Sequence, residues 1–445
     1  MNTSNGNSRR DFVKNSTLIA GGILAAPLMS RANYFSGADD TIKVAIIGCG
    51  GRGTGAVAQA LLTKQNVKLV AMADVFRDNL DKCYNAITQD DLSDVIGQPG
   101  NLKTRIDVPE ERKFIGWDAY KKAIKEADVV ILTTPPGFRP THFEECVAQG
   151  KHVFAEKPMA VDPAGIQKVL AAAAIAKQKK LNVVVGLQRH YQNSYKELIK
   201  RKNLIGDITS AQAWWNNDGV WIRKRQYNQT EMEYQMRNWY YFNWLCGDHI
   251  NEQHCHNLDA VNWFKGSYPV SAQGMGGREV RKGKDVGEIF DHHYVEYTYA
   301  DGSILNSQCR HIPGTMSRVD EWLTGTKGKI FTDAAKIVDS KGKVLYQFDK
   351  TQMNNPYQTE HDELFEAVAK GEYRLNDAEN GAKSTMTAIL GRMATYSGQV
   401  IEWDKAINSG IDSMPKVLDW NAMPPTVPNE DGIYACAVPG KTLYF

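Results

Sequence analysis

The sequence predicts an α/β chain: a doubly wound parallel sheet, then a second, α+β region built on a one-sided, mostly antiparallel sheet. Three observations carry this reading. Thr41 to Gly55, TIKVAIIGCGGRGTG, is an apolar run that ends in glycines before residues able to begin a helix. Apolar runs return at 128–133 (DVVILT), 152–155 (HVFA) and 182–187 (NVVVGL), separated by helical stretches at βαβ spacing; near-continuous Val, Ile and Leu are what strands covered on both faces look like. Beyond about Gln188 the pattern changes to alternation, clearest at HYVEYTYADGSILNSQC, where Asp301-Gly302 marks a hairpin turn.

The first strand leads into Gly48, Gly50, Gly51, Arg52 and Gly53. A glycine-rich turn between a strand and a helix lets backbone N–H groups approach a pyrophosphate, which the helix dipole also favours. Such a turn needs an acidic partner about 20 residues further on, and Asp74 supplies it at the end of VKLVAMAD. A carboxylate there holds ribose hydroxyls and repels the extra phosphate of NADP, so the expected cofactor is NAD, with Arg77 the one residue arguing the other way. A helix follows over Asn79–Ile87, then a surface loop around Gly97, Pro99 and Gly100. Later candidates are strands at Ile208–Trp215 and Glu321–Thr324 and helices at Glu360–Ala369 and Ala382–Tyr396.

The N-terminus stands apart from this pattern. Arg9-Arg10 precede an apolar run from Leu18 to Leu28, with Ser30 and Ala32 near a cleavage point. This reads as a twin-arginine export signal over 1–32, placing the mature protein in the periplasm with no stable membrane insertion, since the run is too short to span a bilayer. The expected domains are 41–187 for dinucleotide binding and 188–420 for substrate binding and oligomerisation, with a tail at 421–445. Lys plus Arg (53) nearly balance Asp plus Glu (51), and no basic tract suits a nucleic-acid backbone. Seven cysteines without C-x-x-C spacing indicate neither a zinc cage nor a disulfide framework.

Lys157, in Ala155-Glu156-Lys157-Pro158, lies just past an apolar strand, where open α/β sheets bind ligands. Near a nicotinamide ring its pKa would fall, letting it exchange a proton with a substrate hydroxyl. Glu252 and His256 fall at i and i+4, so on one helix the carboxylate would orient the imidazole. His249 on the same face raises zinc as an alternative; no metal is expected, because a redox-inert ion is not needed beside a nicotinamide. Aromatics concentrate at Trp214, Trp215 and Trp221 and again, with Arg237 and Asn238, over 237–244, where rings such as Trp239 could stack on a sugar ring and Arg and Asn bond its hydroxyls. Arg189, His190 and Tyr191 follow the last parallel strand and are expected to face the interdomain cleft.

The fingerprint GCGGRG, the segment TTPPGFRPTHFEECVAQGKHVFAEKP and the later EQHCHNLD together resemble the glucose-fructose oxidoreductase and inositol dehydrogenase (Gfo/Idh/MocA) family over roughly residues 41 to 400. The resemblance implies an N-terminal Rossmann domain and a C-terminal α+β domain whose open, mostly antiparallel sheet makes a homo-oligomer interface. It implies Lys157, His256 and Glu252 as catalytic groups, although the family has Asp where Glu252 stands. Pro135, His142, Glu156 and Lys157 join the glycine loop and Asp74 on the cofactor side. Arg189, Tyr191, Trp239 and His254 are the expected substrate contacts. The implied reaction oxidises or reduces a hydroxyl or ketone of a sugar or glycoside, with NAD tightly held. Redox-assisted glycoside hydrolysis and non-catalytic sugar binding stay open as alternatives.

Overall fold

The computed structural model describes residues 41–89, 93 and 101–444. The segment read as an export signal and the expected loop around Gly97, Pro99 and Gly100 lie outside the described residues. The apolar runs fold as β1 (Ile42–Ile47), β2 (Val67–Asp74), β3 (Lys113–Ile115), β4 (Val129–Leu132), β5 (His152–Ala155) and β6 (Val183–Val185). They form one parallel sheet in the order β3-β2-β1-β4-β5-β6. β3 escapes the sequence reading because it is three residues long and none of its residues is fully buried.

Alternate residues of β1 enter two different cores, which is why every strand reads as apolar throughout. Val44 and Ile46 pack with Val57, Leu61 and Leu80 from the helices Gly51–Leu61 and Arg77–Ile87. Ala45 and Ile47 pack with Ile124, Phe143 and Val169 from the helices Ala119–Glu126, Arg139–Ala148 and Pro163–Gln178. Each fully buried Val, Ile or Leu contributes roughly 1.5–3 kcal/mol. A later helix, Pro356–Ala369, joins the first core through Leu364, Phe365 and Val368, so a segment far along the chain completes the first domain's packing.

The second sheet comprises β7 (Ile208–Asn217), β8 (Ser271–Gly277), β9 (His292–Thr298), β10 (Ile304–His311), β11 (Arg318–Gly325), β12 (Gly328–Phe331), β13 (Lys336–Asp339), β14 (Val344–Gln347) and β15 (Ile401–Glu402). Its order is β14-β13-β12-β11-β7-β10-β9-β8-β15. Every pairing is antiparallel except that of β7 with β10. β9 and β10 form the hairpin expected at Asp301-Gly302, with Gly302 at φ +80°. The inward side chains of β9, His293, Val295 and Tyr297, are buried while their neighbours alternate outward. The helices Cys255–Lys265 and Ala378–Ser397 cover that inner face. All seven cysteines are free thiols and six are buried.

Candidate active site

β1 pairs with β2 on one side and β4 on the other, so the strand order reverses there and a crevice opens at the carboxyl ends. The glycine turn fills one wall of it. Gly48 takes φ +96°, and a Cβ there would lie 2.6 Å from the backbone nitrogen of Thr134. A Cβ on Gly53 would lie 2.1 Å from the carbonyl oxygen of Gly48, whereas Gly50 and Gly51 have nothing within 4 Å. Two glycines therefore allow the backbone to close on itself, and two leave space above it. The helix that starts at Gly51 has no side-chain cap and no acidic residue in its first turn, which leaves its N–H groups free for an anion.

Asp74, at the end of β2, accepts hydrogen bonds from the backbone N–H of Cys49 (2.7 Å) and of Phe76 (2.8 Å). Burial raises its pKa and those two amides oppose the rise. Arg77, the residue that argued for NADP, is occupied by Asp81 at 2.9 Å and Glu110 at 2.5 Å. The crevice encloses about 1000 Å³, and its lining includes the glycine turn, Asp74, Trp117, Thr134, Pro135 and His142. From the C-terminal region Trp221, Arg223, Arg237 and Trp239 close the other side. Open space over glycines, an uncapped helix start and a carboxylate at the ribose position fit a dinucleotide.

His142 packs against Tyr120, with ring centroids 4.2 Å apart, and its Nδ1 meets Thr134 Oγ1 at 3.2 Å. Burial, with Arg139 nearby, pushes its pKa down to about 3, so the ring is neutral. Arg52 and Glu156, both expected on the cofactor, bind each other: Arg52 Nε donates to Glu156 Oε1 at 2.5 Å and a second nitrogen reaches Glu360 at 3.4 Å. This ties the glycine turn to the end of β5 and to the helix Pro356–Ala369.

Lys157, one residue on, is a group whose behaviour differs from the sequence expectation. Its Nζ donates to the backbone carbonyl of Glu252, and its distance to Glu252 Oε1 is 3.2 Å. Burial alone would lower the Lys157 pKa, but Glu252, Cys255 and Glu156 outweigh it and hold the ammonium above its ordinary value. Burial raises the Glu252 carboxyl, with Lys157 and Arg139 opposing.

The helix carrying Glu252 ends there: His249–Glu252 is one short helix, and a second begins at Cys255. The i, i+4 argument therefore fails, and the Glu252 carboxylate meets Lys157 instead of His256. His256 stacks on Trp215 at 5.9 Å, and its Nδ1 is buried without a partner. Burial, then Lys157 and Arg189, hold this imidazole neutral well below its ordinary pKa. His249, Glu252 and His256 do not converge as metal ligands, because Glu252 is spent on Lys157 and His256 stacks on Trp215.

Of the expected substrate contacts, Trp239 lines the crevice, edge-on to Trp221. Arg189 forms a buried ion pair with Glu321, Tyr191 donates to Asp377 at 2.6 Å, and His254 Nε2 meets Ser307 Oγ at 2.7 Å. Arg189, Tyr191 and His190, which bonds Asp259 at 2.8 Å, tie the segment after β6 to the second region, whereas His254–Ser307 lies within that region. Sequence reasoning missed the role of Arg139, buried and donating to the carbonyls of Pro158 and Thr134, although it sits inside the quoted TTPPGFRP segment. Arg237, expected among the sugar-binding aromatics, bonds Asp78 at 2.9 Å and lies 3.7 Å over the Phe76 ring, with Glu233 one turn back at 3.6 Å.

A parallel sheet with a dinucleotide crevice, facing an antiparallel sheet across a buried lysine, defines a two-domain dinucleotide-binding protein. Residues 42–187 match the Gfo/Idh/MocA oxidoreductase family, NAD-binding Rossmann fold, and form an NAD-binding Rossmann domain. The chain is 27% identical over 247 residues to inositol 2-dehydrogenase of Ralstonia nicotianae, covering 54% of this chain and 59% of that protein. It is 30% identical over 162 residues to the Serratia proteamaculans inositol 2-dehydrogenase, covering 36% and 40%. The matched stretch thus spans less than two thirds of these relatives. Two solved structures share the fold: aldose-aldose oxidoreductase from Caulobacter crescentus with glycerol (TM-score 0.59, 18% identity, 81% of this chain and 99% of that one) and scyllo-inositol dehydrogenase from Lactobacillus casei with NAD(H) and scyllo-inositol (TM-score 0.58, 17% identity, 82% and 99%).

Proposed function

We propose that this protein is an NAD-dependent oxidoreductase acting on a secondary hydroxyl, or the matching ketone, of a sugar, polyol or glycoside. The observation that carries this is the buried Lys157–Glu252 pair at the carboxyl end of β5, tied through Glu156 and Arg52 to the turn that would hold the cofactor. Bound NAD supplies the hydride acceptor. Glu252 keeps Lys157 charged and fixed, so its ammonium stabilises the substrate oxygen as the hydroxyl proton leaves. The neutral His256, with an unpartnered Nδ1, accepts that proton. Arg139 holds the loop of Thr134 and Pro158 between which the ring would lie.

Clasping of the crevice by Arg237, Trp221 and Trp239 supports a tightly held cofactor, which suits export by the twin-arginine route to the periplasm. The outer face of the second sheet exposes Met275 (69%), which supports a homo-oligomer through that face. The test is release and mass measurement of the purified protein's cofactor, then a panel of polyols and aryl glycosides. Ketone formation with reduced nicotinamide supports oxidation. Aglycone release with no net change in nicotinamide moves the assignment to redox-assisted hydrolysis, and binding without either product sinks both.

A further inference from the structure

Ahead of the short helix that carries Glu252, three side chains gather in the dry interior: Asp248, His249 and His293, none more than 3% exposed. One ligand atom from each lies within 4.8 Å of the others. Asp248 Oδ1 accepts from the backbone N–H of His249 at 2.5 Å and lies 2.7 Å from His249 Nδ1, and its Oδ2 accepts from Tyr396 at 2.5 Å and the backbone N–H of Phe290 at 2.9 Å. His293 Nδ1 meets Thr395 Oγ1 at 2.8 Å. Thr395 Oγ1 also donates to the carbonyl of Arg392 at 3.1 Å; with its proton there, its oxygen would accept from His293 Nδ1 and leave Nε2 as the lone-pair nitrogen.

His293 Nε2 lies 3.3 Å from Asp248 Oδ2, and as the lone-pair nitrogen it would face that oxygen directly. A lone pair facing a carboxylate oxygen in a buried setting is repulsive unless a proton or a cation lies between them.

We propose that Asp248, His249 and His293 form a binding site for a divalent transition-metal ion of the zinc class. Two imidazoles and one carboxylate are the donor set such ions take, with a water or a neighbouring oxygen completing four-coordination. Thr395 on His293 and Tyr396 on Asp248 are the outer contacts that orient metal ligands. Two arginines lie nearby: Arg281 donates to His311 Nδ1 at 3.1 Å and to the carbonyl of Phe290, with Asp291 accepting the N–H groups of residues 279–281 beside it, and the buried Arg392 donates to the carbonyl of Val161 at 2.7 Å. The ion would staple β9 to the turn that leads into Glu252. Its binding does not depend on the proposed reaction.

The test uses the full-length protein. After expression with zinc and removal of loosely bound metal, elemental analysis is expected to find about one equivalent per chain, as for closed protein zinc sites. Cobalt replacing it gives visible ligand-field bands, and added zinc raises the melting temperature of chelator-treated protein by at least about 2 °C. His293→Gln abolishes the bands while NAD binding persists. The proposal is overturned if the wild-type protein holds no stoichiometric metal and zinc leaves its melting temperature unmoved. It is equally overturned if nitrogen NMR shows both His293 nitrogens protonated, because a proton then fills the gap. Both outcomes are read on wild-type protein, so a misfolded variant cannot hide them.

Discussion

The two walls of the crevice are built differently. On the first-domain side the working groups are backbone: a glycine turn, a helix start, and a carboxylate held by two amides. On the far side Arg237 meets Asp78, and beyond the crevice lining side chains meet across the fold: Lys157 with Glu252 and Arg189 with Glu321. Backbone geometry is fixed by local sequence and tolerates no Cβ where chains cross. Side-chain pairs need both domains in place and fail one partner at a time. The cofactor wall is therefore pre-formed, while the chemical floor exists only once the domains have docked.

The sharpest way to break this contrast is Lys157→Ala. Turnover should fall by about 10²–10⁴-fold, the range for loss of a positioned proton-transfer group, while NAD content is unchanged. Single-turnover reduction and cofactor release on the same preparation read the two quantities separately. Equal losses of both would show that floor and wall are one unit. The melting temperature should also be followed, because the change leaves Glu252 buried without its cation.

Within the wall itself, Gly53→Ala and Gly51→Ala separate folding from binding. A Cβ on Gly53 collides with Gly48, so this variant should lose about 1–3 kcal/mol of stability through overpacking and bind NAD weakly. A Cβ on Gly51 points into open space, so denaturant unfolding should be near normal while NAD affinity falls by about tenfold, as expected where backbone must approach a ligand closely. Matching stability losses in both variants would mean that the space above Gly51 serves packing.

The same contrast explains what could be read from residues alone. The glycine turn, Asp74 and the parallel strands are legible because each is a run of neighbours with one period. Lys157 is legible as a position, at the end of a strand, but the sign of its pKa shift depends on Glu252 arriving from far along the chain. The helical pairing of Glu252 with His256 failed because the chain breaks its helix after Glu252, and nothing in INEQHC marks that break. Arg189, Tyr191 and His254, expected as substrate contacts, are spent on Glu321, Asp377 and Ser307, which periodicity does not reveal.

A gentler probe of the far wall is Arg237→Ala. It removes a part-exposed ion pair with Asp78 and a cation over Phe76, together about 1 kcal/mol. NAD release followed by stopped-flow nicotinamide fluorescence should quicken by about fivefold with turnover chemistry intact. An unchanged rate would place cofactor retention in the glycine turn alone and remove the clasp.

The smallest effect concerns the seam between the two regions. His190 follows β6 and bonds Asp259 of the second region at 2.8 Å. Burial would lower its pKa, but Asp259 outweighs burial and raises it above the ordinary value. A histidine whose folded pKa is raised adds stability that is fully present below its unfolded value, about 6.5, and is lost as pH rises through the folded value. Wild-type protein should therefore lose more unfolding free energy between about pH 6 and pH 9 than His190→Gln, which keeps a neutral donor toward Asp259. Urea titrations of both across that range check it. Parallel curves would mean the imidazole is neutral in the fold, and the seam would then rest on Arg189–Glu321 and Tyr191–Asp377 without help from a charged His190.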